Sequence, residues 1–151
     1  MPRILTAPTP GTPRPATEPR SRRCELADDD LAPGRLRHWV TALLADWHLS
    51  HLADDLALVA TELATNAVRH GGTGARATLS VRGTGTGPRV VRLEVEDDGP
   101  GFDPPAVAAT TGPDALESCG GRGLLLVAAL STAWGAWHTA AGQLVWAELV
   151  V

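Results

Sequence analysis

The apolar residues change period partway along the chain, and that change limits the fold more than any other feature. Leu36, Val40, Leu43, Leu44 and Trp47 recur at helical spacing behind the acidic run Asp28 to Asp30 and Pro33, a combination that suits the amino end of a helix. They predict a first amphipathic helix ending near His48. Ser50 is placed to cap a second helix, whose stripe runs through Leu52, Leu56, Val59, Leu63 and Ala67 and whose stop is Gly71-Gly72. Beyond it the period falls to two. Ala77, Leu79 and Val81 alternate with polar residues, Gly83 to Pro88 turns the chain, and Val91, Leu93 and Val95 alternate again, which predicts an antiparallel hairpin. Helix returns at Leu124 to Leu130. Trp134, Trp137, a turn at Ala141-Gly142 and a strand from Leu144 to Val150 close the chain, and a short edge strand fits Cys24 to Leu26. Two helices ahead of a hairpin, then helix and strand, indicate an α+β two-layer sandwich. Its sheet is expected to be mixed but mostly antiparallel, with the helices on one face.

At 151 residues the chain is long enough for one self-sufficient core. Residues 1–23 carry six prolines among Thr, Arg and Gly and almost no apolar side chains, so they read as a disordered, mildly basic tail ahead of a domain at 24–151. The segment from Gly99 to Gly123 is too long and too rich in Gly and Pro for a plain connection, and reads as a functional loop or lid. A net charge of −4 lacks the footprint of a nucleic-acid binder. All thirteen basic residues are arginine, which excludes Schiff-base chemistry and a Walker lysine. Cys24 and Cys119 have no metal-ligand spacing. No signal-peptide core and no apolar run of about 18 residues is present, so a cytoplasmic protein without a membrane role is expected.

Three clusters carry chemistry. Glu62, Asn66 and His70 fall four residues apart on the second helix and share a face, where a carboxylate accepts a proton and a carboxamide oxygen ligates hard Mg²⁺. His70 reaches toward a phosphate or answers the helix dipole. Counting by two from Val91, Leu93 and Val95 brings Asp97 to the buried face and Asp98 to the outer one, followed by Gly99 and Gly101, which permit a close ligand. A carboxylate at the rim of an apolar pocket needs a donor, which a purine amine supplies. Gly120-Gly121-Arg122-Gly123-Leu124 precedes an apolar helix, where free backbone N–H groups, the helix dipole and a guanidinium suit phosphate.

In this order the clusters resemble the N, G1 and G2 boxes of the GHKL, or Bergerat-fold, ATPases: ELATNAVRH (Glu62 to His70), DDGPGF (Asp97 to Phe102) and GGRGL (Gly120 to Leu124). The short lid and small size look most like the anti-sigma-factor serine kinases and their stand-alone ATP-binding relatives. The resemblance implies ATP and Mg²⁺ as cofactors, with Asn66 as metal ligand and Glu62 as general base. It implies Asp97 on the adenine amine with Gly99 and Gly101 shaping the pocket. Gly121, Arg122, Gly123 and Leu124 would hold the phosphates, supported by Arg69 and His70. It further implies a regulator of transcription whose partner is a sigma factor or an anti-sigma antagonist phosphorylated on serine, commonly in a homodimer. The competing expectation is a nucleotide-sensing module that sequesters its partner without transferring phosphate. Two departures stand out. Leu144 follows Gly142-Gln143 where related sequences carry a hydroxyl, which predicts weakened nucleotide affinity, and no lysine supports the phosphates. The five tryptophans are expected in the core.

Overall fold

The computed structural model describes residues 19–70, 72–83, 87–99 and 122–151. Strand β1, Arg20–Ala27, is followed by helix α1, Ala32–Asp46, a short 3-10 turn at Ser50–Leu52 and helix α2, Ala53–His70. Strands β2, Gly74–Arg82, and β3, Val90–Asp97, form the expected hairpin. Helix α3, Arg122–Leu130, then precedes strands β4, Ala133–His138, and β5, Gln143–Val150.

The sheet order is β1-β2-β3-β5-β4, and all four pairings are antiparallel. The last strand is therefore inserted between β3 and β4. The edge strand is longer than the expected Cys24 to Leu26. Arg20 to Arg23, expected to end the tail, pair with Val81 to Thr78 and belong to the sheet. Their long polar side chains conceal the strand because an edge strand has little to bury. Residues 1–18 lie outside the described residues, as does most of the expected lid.

Asp29 starts α1. Its carboxylate accepts from the Leu31 N–H at 2.9 Å and from Arg35 Nη1 at 3.2 Å. Ala32, Leu36, Val40 and Leu44 form the buried stripe of α1, and the helix ends where His48 takes a positive φ of 58°. Ser50 does not cap α2. It opens the 3-10 turn without a side-chain cap bond, because Leu49, 1% exposed, is drawn into the core and tightens the chain there. Asp54 and Asp55 in the first turn of α2 and Arg69 and His70 in the last complement its dipole.

Both long helices pack against each other, and α2 also meets α3 and the inner face of the sheet. The core interleaves Leu36, Leu56, Leu63 and Val127 with Leu79, Leu93, Val95 and Ala147. Trp47 is buried, and Trp39 and Trp134 pack against this core as expected. Trp137 and Trp146 instead stand on the outer face of the sheet. Arg92 stacks there over the Trp146 ring at 4.1 Å while bonding Glu94 at 2.6 Å and Glu148 at 3.0 Å. The outer face is thus a charged lattice that needs no helical cover. Among the described residues no helix is long and apolar enough to cross a membrane.

Candidate functional site

Helix α2 carries the first half of the site. Its apolar stripe faces the core, and the edge of that stripe turns Glu62, Asn66 and Arg69 toward α3. With Thr65, Gly123 and Leu124 they line one groove of about 560 Å³. Asn66 is 8% exposed, a buried carboxamide at the groove wall. Gly123 explains how α3 approaches so closely: a Cβ there would run into Glu62 Oε2. The amino end of α3 therefore stands directly against the Glu62 carboxylate. Arg122 is the first residue of α3.

Strand β3 carries the second half. Asp97, 4% exposed, ends the inner-face row of Val91, Leu93 and Val95, and Asp98 points outward, as the alternation predicts. Burial pushes the Asp97 carboxyl above its ordinary value, while the Gly99 N–H, donating to Oδ1 at 2.9 Å, and the charge of His70 pull the other way. His70 does not line the Glu62 groove. Asp97 itself lines a separate hollow of about 360 Å³ at the strand ends, with Glu25, Thr73, Arg76, Glu96 and Ala141, which shares no lining residue with the Glu62 groove. Glu62, Asn66, Arg69, Gly123 and Leu124 are brought together in one groove, and Asp97 and Gly99 lie at the strand end beside His70. Gly101 and Gly121 lie outside the described residues, as does Cys119. Among the described residues no three His, Cys, Asp or Glu side chains cluster to hold a metal ion.

The model of the histidine kinase-like ATPase domain matches residues 26–149, spanning both halves of the site. The chain belongs to this family. A comparison with curated proteins gave no match.

The histidine kinase-like ATPase domain is an ATP-binding unit, and in this one two residues that the sequence expectations gave no role, Asp98 and Gln143, stand next to Asp97. Asp98 accepts from the Gly72 N–H at 3.0 Å, the Thr73 N–H at 2.8 Å and the Thr73 hydroxyl at 2.5 Å, and these bonds hold its carboxyl below the ordinary value. It ties the exit of α2 to the end of β3, so the helix with Glu62 and Asn66 and the strand with Asp97 share one anchor. The signal in the sequence is a second aspartate facing away from the core, matched by a Gly-Thr turn.

The other residue is Gln143. Leu144 pairs with Glu96 and belongs to the outer face of the sheet, the side away from Asp97. Gln143 pairs with Asp97 on the inner face and is fully buried. The period of two, counted back from Val145, Ala147 and Leu149, identifies that position.

Proposed function

We propose that this chain is an ATP- and Mg²⁺-dependent protein serine kinase of the anti-sigma-factor type, acting on an anti-sigma antagonist or sigma-factor partner. The carrying observation is that Glu62 and Asn66 share one groove with Arg69 and the amino end of α3. Those residues fit the cofactor. Asn66 offers an oxygen to a hard cation, the backbone N–H groups and dipole at the start of α3 face an anion, and Asp97 is a buried acceptor for an exocyclic amine. ATP with Mg²⁺ supplies the transferable phosphoryl group when bound. Glu62 then serves as the base that takes the proton from the partner's serine hydroxyl, and Arg69 answers the phosphate charge that lysine answers in other sites.

Calorimetry with ATP, with and without Mg²⁺, on the wild type and Asn66→Ala tests the site. The variant is expected to lose the Mg²⁺-dependent part of binding. Transfer of labelled phosphate to an arrayed serine-peptide library tests the chemistry. Glu62→Gln is expected to keep ATP binding while slowing transfer by about 10²- to 10⁴-fold. Transfer at the wild-type rate overturns the base assignment. ATP binding by a wild type that never transfers favours the sequestering module, toward which the absence of lysine leans.

A further inference from the structure

The helical layer is ordered α1, α2, α3: α2 packs against both others, α1 reaches β1 and α3 reaches β4. The sandwich thus ends in two edges, and they differ in character. At the first, β1 presents Arg20, Arg22 and Arg23, and α1 carries Arg35 and Arg37. Charge of this kind keeps an open strand from pairing with another chain. At the second edge both layers lack it. Strand β4, Ala-Trp-Gly-Ala-Trp-His, has no Arg, Asp or Glu, whereas every other strand has at least one. Among the described residues it pairs with β5 alone, which leaves one row of its backbone N–H and C=O groups unpaired. Trp137 on it is 43% exposed.

Helix α3 is apolar throughout from Gly123 to Leu130. The core takes Leu124, Val127 and Leu130, and the Glu62 groove takes Gly123 and Leu126. Leu125 and Ala128, half-buried, and Ala129, exposed, are left over at helical spacing as a further apolar face. A helix apolar on every side is ordinarily covered on every side.

The strand that fits this edge has small residues where β4 has large ones, and β4 is itself such a strand. Set antiparallel to its own copy about Gly135, Ala133 stands opposite the partner's Trp137 on the outer face, and Trp134 opposite the partner's Ala136 on the inner face. Each indole then lies against an alanine. The neighbouring registers lose this match. One about Trp134 sets two indoles against each other, and one about Ala136 sets the partner's Trp137 against Gly135, where a Cβ would already come within 2.9 Å of the Trp146 ring. We infer that β4 and α3 form a docking edge for a second copy of this chain, joined by antiparallel β4 pairing about Gly135 into one ten-stranded sheet. The contact is isologous and closes on itself. A specific interface needs about 1,000 Å² in all, and the apolar face of α3 extends the contact beyond the strand. The inference is independent of whether nucleotide binds.

Sedimentation equilibrium and cysteine cross-linking of the full chain test it, on a background of Cys24→Ser and Cys119→Ser. The background chain is expected to form a dimer in a concentration-dependent way. Ala129→Glu and Ala133→Glu, at exposed positions of α3 and β4, are each expected to weaken it by about 10-fold or more while the urea midpoint stays near that of the background chain. A mixture of Ala133→Cys and Trp137→Cys chains is expected to form a disulfide under mild oxidation, because directly opposed residues lie about 4.5–5.5 Å apart, and Ala133→Cys alone is not. A chain that stays monomeric at every concentration overturns the inference and leaves the edge to a strand of another protein. A dimer that both glutamate variants leave intact also overturns it, since the copies then meet elsewhere. Those two variants keep the indole that Trp137→Cys removes from the Arg92 stack, so they decide the matter if that chain does not fold.

Discussion

Two glycines of this chain are glycine for opposite reasons, and substitution separates them. An added methyl at Gly123 meets the far end of the Glu62 side chain, which can swing away. Gly123→Ala is therefore expected to change stability by less than about 1 kcal/mol. It should nevertheless cut phosphoryl transfer, because the displaced carboxylate no longer faces the amino end of α3. At Gly142 the obstruction is backbone of Asp97 and Asp98. Gly142→Ala should cost about 1–3 kcal/mol, read by urea unfolding, because the start of β5 must move as a unit. Asp98 carries the pH dependence. Its carboxyl lies below the ordinary value because Thr73 and Gly72 donate to it. Its contribution to stability is thus fully present above the unfolded-state value near about pH 4 and is lost as pH falls through the lower, folded-state value. Asp98→Asn is expected to be less stable than the wild type at pH 7, with the difference closing as pH falls below the ordinary carboxylate value. Urea midpoints across that range check it, and a constant difference would show that the carboxylate's charge is not what holds the turn.

At the scale of elements, α2 does most of the positioning, and it is also the most legible element. A helix with Leu56, Val59, Leu63 and Ala67 on its buried stripe declares its length and orientation in the sequence, and the adjacent positions of Glu62 and Asn66 follow from 3.6 residues per turn. The hairpin is legible for the same reason at period two, which also separates Asp97 from Asp98. The extent of β1 is hidden because Arg20, Ser21, Arg22 and Arg23 have backbone partners but almost no apolar surface to announce them. The turn at Ser50 misleads because a serine ahead of a helix resembles a cap, whereas burial of Leu49 decides the local path. Gln143 is easily overlooked beside Leu144, one residue along a strand in which one residue is one face.

On the scale of the whole molecule, stability rests on one layer of helices against one face of the sheet. Leu93 is fully buried at the centre of that face, on the middle strand and level with Leu79 and Ala147. Leu93→Ala is expected to cost about 2–5 kcal/mol, measured by denaturant unfolding, while the side chains lining the Glu62 groove stay in place. The two sheet faces are not equally readable. Alternation places residues on one side or the other, but does not say which side the helices choose when both carry large apolar groups, and so the expectation of a buried Trp137 and Trp146 fails. Arg92 and its two glutamates settle the outer face by surrounding the indoles with charge.

The insertion of β5 between β3 and β4 also sets the order in which the molecule can come into being. During synthesis β3 emerges with only β2 beside it, and β4 waits with no strand to pair with until Gln143–Val150 has been made. The contacts that close the core join residues distant in sequence, which slows folding and keeps an open strand edge exposed in the meantime. Since Gln143 is among these late arrivals and flanks Asp97, the end of the inner face around that carboxylate stays uncovered on one side until the last strand is in place.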